Sequence, residues 1–165
     1  MKLNEFKLLN SGSPISNLDI KNLESYLGLK FPAEFRELYL ASNGGSPNRE
    51  FWNKDEGFEP IRVEDFKSIA HAGASDENDT KYIGGCFKIM RERNVLPAQL
   101  IPFASDEAGN FICLENGSGR IIYFAVDIFQ SDVDMSINHV NAQKFLSASF
   151  DEFVRSLIDE DEVDY

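Results

Sequence analysis

The sequence predicts an α+β fold in which short helices pack against an antiparallel β-sheet and a C-terminal helix closes the chain. Three observations predict it. Apolar residues recur every three or four positions between residues 15 and 39, as on one face of a helix. Between residues 100 and 126 the apolar pattern changes to short segments with strand period. Ser149, with Glu152 three positions later, then has the pattern that begins a helix.

The first two helices carry start and stop signals in their sequences. Ser16 and Asp19 have the spacing of a capping box, which predicts a first helix over Asn17–Leu27. In the second helix, Pro32 suits the first helical position and Gly44 suits the left-handed residue that closes a helix. The two helices are therefore expected to be short and folded against each other.

The sheet is predicted from short apolar segments that are separated by turn residues. Asp106–Gly109 and Asn116–Gly119 are rich in glycine and asparagine, which accept positive φ, so they predict tight turns in an antiparallel meander. The predicted strands are Phe51–Trp52, Ile61–Val63, Leu100–Ala104, Asn110–Leu114 and Arg120–Val126.

Two further helices are predicted. Apolar residues at helical spacing from Ile83 to Met90 indicate a third helix, which Gly84–Gly85 weakens. The C-terminal helix begins at Ser149 and presents apolar side chains as far as Ile158. The region from Gln130 to Gln143 follows neither period and yields no prediction.

The charge of the chain limits the classes of molecule that it is expected to bind. The net charge is −12, and the segment from Pro97 to Tyr165 holds 13 acidic residues against three basic ones. Such a surface repels phosphates and anionic lipids, so direct binding to nucleic acid or membrane is not expected. Two interpretations stay open, namely plain solubility and attraction of a basic protein partner.

No metal or cofactor site is predicted. Cys86 and Cys113 lie in apolar surroundings, outside any Cys-x-x-Cys pattern, and are expected to be core residues. The small and acidic segment from Ala70 to Thr80 indicates an exposed loop or the entry to a helix. Its acidic residues also suggest a calcium loop counted from Asp76. It fails on spacing, because its sixth and twelfth positions hold lysine and phenylalanine instead of glycine and glutamate.

Catalysis is not predicted either. His71 and His139 stand in no recognisable nucleophile motif. The paired acids Asp55–Glu56 and Asp132 with Asp134 are able in principle to act in acid–base chemistry, but pairs are expected by abundance among 28 acidic residues. The chain is therefore expected not to be an enzyme.

Exposed acids and one aromatic residue are the candidate partner contacts. Asp106 either accepts backbone N–H groups in its own turn or projects a carboxylate with its neighbour. The tryptophan beside the first acidic pair either fills the core or anchors an interface. The candidate partner-binding residues are Trp52, Asp55, Glu56, Asp106, Glu107, Asp132 and Asp134.

Three segments in this order resemble the SMI1/KNR4 family, also called the SUKH superfamily: residues 32–45, residues 100–114 and the run Ser149–Phe153. The motif positions are Pro32, Asn43, Gly44, Gly45, Pro102 and Gly109. For the glycines, a structural role at positive φ is expected.

The resemblance implies an α+β domain that binds proteins without catalysis. Bacterial members look like immunity proteins that neutralise a cognate toxin, often a nuclease, and fungal relatives regulate cell-wall synthesis through protein contacts. A cognate and basic protein toxin is the expected partner, and a regulatory or scaffold module with an endogenous partner is the alternative. One domain over residues 1–158 is expected, followed by an acidic tail over residues 159–165.

A cytoplasmic location is expected. The residues from Met1 to Phe6 lack the long apolar run of a signal peptide, and no segment approaches the 18 apolar residues of a membrane span. The isolated cysteines agree with a reducing compartment.

Overall fold

The computed structural model describes residues 5–71 and 79–163, which form an α+β fold. Its α-helices are α1 Asn17–Leu27, α2 Ala33–Ala41, α3 Ile83–Glu92, α4 Met135–Asn141 and α5 Phe150–Ser156. Its strands are β1 Leu8–Leu9, β2 Ser46–Pro47, β3 Phe51–Trp52, β4 Ile61–Phe66, β5 Leu100–Asp106, β6 Phe111–Glu115, β7 Ile121–Phe124 and β8 Gln143–Ser147. The segment beginning at Asp76, which was compared with a calcium loop on spacing, begins outside the described residues.

The main sheet has six antiparallel strands in the order β3-β4-β5-β6-β7-β8. Each strand pairs with the next along the chain, and the register sets Ile112 beside Tyr123 and Tyr123 beside Lys144. The predicted meander is thus confirmed, and further strands extend it on both sides. The region from Gln130 to Gln143, which yielded no prediction, contains α4 and leads into β8.

Helix α1 has the predicted bounds because its signals are local. The Ser16 backbone N–H donates to the Asp19 carboxylate at 2.9 Å, and the Asp19 backbone N–H donates to the Ser16 hydroxyl at 3.4 Å. Gly28 ends the helix at a φ of 74°. Leu23 and Leu27 on its inner face are buried.

Helix α2 differs from the prediction at both ends. Pro32 caps the helix, which begins one residue later at Ala33. Gly44 does not close the helix, because extended Ser42 is already its C-terminal cap. Gly44 and Gly45 instead have positive φ in the passage from α2 to the sheet.

The core lies on both faces of the sheet. The larger cluster holds the apolar side chains of α1, α2 and α5, where Phe35 and Phe103 lie 5.0 and 5.5 Å from the Phe150 ring centroid. The smaller cluster includes Cys86 and Cys113, which are buried and free. Full burial of each large apolar side chain contributes about 1.5–3 kcal/mol, so these rings supply much of the driving force for folding.

The C-terminal segment begins with half of the predicted capping box, in which the Glu152 backbone N–H donates to the Ser149 hydroxyl at 3.1 Å. Beyond α5, Ile158 exchanges two backbone hydrogen bonds with Phe51 of β3, at 2.9 and 3.0 Å. Residues 160–162 form a 3-10 turn. Arg49 lies 3.3 Å from the Glu162 carboxylate, so part of the acidic segment is ion-paired to the domain.

Candidate functional site

An open groove of about 610 Å³ lies at one end of the sheet. It is lined by the loop Gly57–Pro60, by Glu107 and Ala108 of the β5–β6 turn, and by Tyr123 of β7. The rest of the lining consists of Ala125, Asp127, Ile128 and residues 141–144. We call this cavity the carboxylate groove, because four of its lining residues are acidic: Glu59, Asp106, Glu107 and Asp127.

Asp106 holds the β5–β6 turn that borders the groove. It is only 7% exposed, and its Oδ1 accepts the backbone N–H groups of Ala108 at 2.9 Å and Asn110 at 2.8 Å. Its Oδ2 accepts the phenol of Tyr123. Of the two roles left open for Asp106, the geometry therefore matches the turn role, and Glu107 alone of this pair is exposed.

Asn110 connects this turn to the opposite side of the groove. Its buried amide donates to the Tyr123 hydroxyl at 2.9 Å and to the Asp127 carboxylate at 3.2 Å. The Asp127 backbone N–H donates back to Asn110 Oδ1 at 3.3 Å. A buried asparagine thus fixes an exposed carboxylate from both its side chain and its backbone, which is a pre-organised arrangement.

Tyr123 titrates abnormally for two reasons. Burial raises the pKa of its phenol well above the usual range, and the hydrogen bond to Asp106 raises it further. A phenol with the ordinary pKa of about 10 is already protonated at neutral pH, and the raised pKa keeps it protonated, as the donor to Asp106, in more alkaline solution.

The two cations that line the groove are already ion-paired. The Arg62 guanidinium lies 3.2 Å from a Glu50 carboxylate oxygen and 3.2 Å from a Glu107 carboxylate oxygen. Lys144 Nζ lies 2.7 Å from Asp55 Oδ2, and this contact holds the pKa of the Asp55 carboxyl below its ordinary value. Glu59 and Asp127 have no cationic partner within the described part of the chain, which leaves the groove with an acidic surplus.

Lys144 also covers the aromatic residues beside the groove. Its Nζ lies 4.5 Å from the Phe58 ring centroid and 5.9 Å from the Trp52 ring centroid. Both distances are within reach of cation–π attraction. The loop between β3 and β4 is therefore attached to β8 by one lysine.

The structure brings some of the predicted partner-binding residues together. Asp106 and Glu107 line the groove, and Asp55 is attached to it through Lys144. Glu56 is exposed on the same loop. Trp52 is 3% exposed and belongs to the larger core cluster, so its ring fills the core. Two residues stand apart: Asp132 and Asp134 are exposed before α4 and do not line the groove.

Sequence reasoning missed most residues that give the groove its chemistry, among them Phe58, Glu59, Arg62, Asn110, Tyr123, Asp127, Ile128 and Lys144. Arg62, Asn110 and Tyr123 stand in predicted strands, and the others stand between predicted elements. A useful signal would have been the hairpin register, because pairing Phe111 with Phe124 brings the chain beyond β7 alongside the β5–β6 turn. Without that register, 17 residues separate Asn110 from Asp127.

The motif positions that do not line the groove have local structural roles. The Asn43 amide group donates to the Ser13 and Ile69 carbonyls at 2.8 and 2.7 Å and accepts the Ile69 N–H at 2.7 Å. Pro102 lies at a register irregularity between β5 and β6, where a residue without an N–H is tolerated. Gly109 has a φ of 86°, as expected for its turn.

A cluster of carboxylates outside the groove offers metal-ligand atoms: Asp159, Asp161 and Glu162. Arg49 approaches two of these three carboxylates, Asp159 at 3.9 Å and Glu162 at 3.3 Å. The cluster is therefore part of an ion-paired turn.

No helix in residues 5–71 and 79–163 combines the length and the apolar character that crossing a membrane requires.

Comparison with known proteins identifies the family. Residues 14–156 match the SMI1 / KNR4 family (SUKH-1). The chain is also similar to the SPbeta prophage-derived uncharacterized protein YokK of Bacillus subtilis (strain 168). The two are 28% identical over an alignment of 173 positions, which covers 96% of this chain and 84% of the relative. The chain therefore belongs to the SMI1/KNR4 (SUKH-1) family.

Proposed function

We propose that this chain is an immunity protein that binds and neutralises a cognate bacterial toxin, of the nuclease type, by covering its basic substrate surface. The observation that carries the proposal is the carboxylate groove, where Glu59 and Asp127 present charge that no cation of the groove neutralises. A nuclease binds phosphates through basic residues, so a fixed acidic surface competes for the same contacts. Family membership supports protein binding as the activity.

The mechanism needs no chemical step. The net charge of −12 steers a basic protein toward the chain, and the groove then supplies pre-organised contacts. Because the Asn110 network holds Asp127 in place, little side-chain entropy is lost when a partner binds there. The toxin is blocked for as long as the complex lasts.

Growth rescue tests the proposal. Each gene that neighbours this one is expressed as a toxin candidate, with and without the chain, and we expect one toxic product whose toxicity the chain removes. In vitro, equimolar chain is expected to stop turnover by the purified toxin. If a functional toxin kills equally in both cultures, neutralisation is wrong, and capture of a housekeeping protein would favour the regulatory alternative.

Paired charge variants test the site. Glu59→Gln with Asp127→Asn removes two negative charges from the groove, and Asp132→Asn with Asp134→Asn removes two outside it. The groove variant is expected to weaken toxin binding about tenfold or more, and the outer variant much less. The association rate should also fall about tenfold from roughly 50 to 500 mM salt. Equal losses from the two variants, or a salt-independent rate, would contradict the charge mechanism.

A further inference from the structure

We propose that the carboxylate groove receives an arginine side chain of the partner protein, with Asp127 as the carboxylate that pairs with the guanidinium. This inference rests on the proposed function, because it names the chemistry of the partner at the same groove. It concerns one side chain and one cavity, so it is testable without the toxin.

The groove offers both parts of an arginine-binding cleft. Its walls include the apolar side chains of Phe58, Ile61 and Ile128, against which the three-carbon stem of an arginine packs. Phe58 and Ile128 are 39% and 47% exposed, so they present free apolar area. The acidic residues stand on the same lining, and an occupant with an apolar stem and a positive end fits both.

Asp127 is the acceptor that the geometry favours. The Asp106 carboxylate is buried and already accepts two backbone N–H groups and the Tyr123 phenol. Glu107 is paired with Arg62. Asp127 is exposed and accepts one long hydrogen bond, from the Asn110 amide at 3.2 Å, so most of its lone pairs remain available to a two-pronged donor.

Asn110 is a positioning residue for this contact. It is 2% exposed, and its amide holds Asp127 by the carboxylate at 3.2 Å and by the backbone N–H at 3.3 Å. A planar guanidinium gains more from a fixed carboxylate than a lysine ammonium does, because two parallel hydrogen bonds require one orientation. The fixed acceptor therefore favours arginine over lysine.

The same wall already binds a cation of this chain. Lys144 Nζ lies 4.5 Å from the Phe58 ring centroid and 2.7 Å from Asp55 Oδ2. An aromatic ring with a neighbouring carboxylate is thus a cation-binding arrangement in this fold, and the Asp127 carboxylate lines the same groove as that ring.

The test uses the full-length chain and three short capped peptides, Ala-Arg-Ala, Ala-Lys-Ala and Ala-citrulline-Ala. Citrulline matches arginine in shape but is neutral. The readout is two-dimensional NMR of the labelled protein, followed at the Asn110 side-chain amide and the Asp127 backbone amide. We expect the arginine peptide to shift both signals and to bind about tenfold more tightly than the citrulline peptide, with lysine between them.

Asp127→Asn is expected to reduce arginine-peptide affinity about tenfold, and Glu37→Gln, which removes one exposed carboxylate outside the groove, is expected to leave it unchanged. The proposal is overturned by equal binding of arginine and citrulline, or by equal effects of the two variants. Loss of peptide binding with intact toxin neutralisation would remove only this inference. Peptide binding without growth rescue would instead remove the proposed function and leave an arginine-binding groove.

Discussion

Two loops of the molecule are held by similar hydrogen bonds but differ in what those bonds reach. The Asn43 junction is the place where residues 43–45 meet residues 9–13 and 66–69, and the Asp106 turn is formed by residues 106–110. In each, a buried asparagine or aspartate side chain bonds to backbone groups, and a glycine at positive φ follows. At Asn43 all three bonds go to backbone atoms of Ser13 and Ile69. At Asp106 the network continues through Asn110 to the exposed Asp127.

This difference indicates which motif residues stabilise the fold and which also shape a surface. The side-chain bonds of Asn43 lead no further, because all three are made with backbone groups, those of Ser13 and Ile69. The bonds of the Asp106 turn lead on through Asn110 to an exposed carboxylate, Asp127, which lines the carboxylate groove. We therefore expect substitutions at the junction to change stability alone, and substitutions around the turn to change the properties of the groove as well.

The largest expected effect is that of Gly45→Ala at the junction. A Cβ on Gly45 would lie 2.2 Å from the Leu9 carbonyl oxygen, at a φ of 118°. Because backbone blocks the new atom, strand β1 has to shift, and we expect a loss of about 3 kcal/mol or more in the free energy of unfolding. Urea denaturation followed by circular dichroism measures it.

Gly117→Ala is the matched control. Gly117 also has positive φ, 97°, but its Cβ would meet no atom within 4 Å. Only the conformational cost remains there, about 1 kcal/mol. If the two variants unfold at the same urea concentration, close approach of the backbone is not the reason for glycine at position 45.

The second-largest expected effect is that of Tyr123→Phe at the Asp106 turn, and its size depends on pH. Tyr123→Phe removes the phenol that donates to Asp106, and a loss of about 1–2 kcal/mol is expected at pH 7. Since the folded state raises the pKa of Tyr123, its stabilisation is present below the unfolded value of about 10 and is lost as pH rises above it. The gap between wild type and variant should therefore narrow above about pH 10.

Unfolding curves at successive pH values, from neutral to alkaline, measure this gap. Tyr39 has a pKa that burial also raises, so both proteins lose stability in alkali and only their difference reports on Tyr123. A gap that stays constant through the alkaline range would contradict the assigned role of the phenol.

The elements that could be predicted from sequence are those with local causes. Helix α1 is confirmed to the residue, because Ser16 and Asp19 bond within one turn. The prediction that Gly44 closes helix α2 was wrong, because the need for glycine at this position comes from a distant segment. A Cβ there would lie 2.7 Å from the Phe66 carbonyl oxygen, a contact between segments 22 positions apart that no local pattern encodes.

The groove was predictable only in part for the same physical reason. The turn residues Asp106 and Glu107 were candidates because glycine marks the turn beside them. Tyr123 resembles any strand residue until the folded sheet brings its phenol to the Asp106 carboxylate, and Lys144 belongs to a strand whose sequence lacks a clear period. The groove is lined by residues of four strands, β4, β5, β7 and β8, so its chemistry follows from topology more than from spacing.

The smallest expected effect is at the contact between Lys144 and Asp55, where the β3–β4 loop meets β8. Lys144→Gln removes the ammonium that lies 2.7 Å from Asp55 Oδ2, so the pKa of Asp55 should rise toward its ordinary value. Because the folded state lowers that pKa, the stabilisation is present above the unfolded value of about 3.9 and is lost as pH falls.

Lys144→Arg is the matched control, because it keeps the positive charge and should keep the lowered pKa of Asp55. Carboxyl NMR titration measures the shift, and the single tryptophan offers a second readout, since Lys144 Nζ lies 5.9 Å from its ring centroid. If neither the Asp55 titration nor the Trp52 emission changes in Lys144→Gln, the Lys144–Asp55 ion pair does not hold the β3–β4 loop against β8.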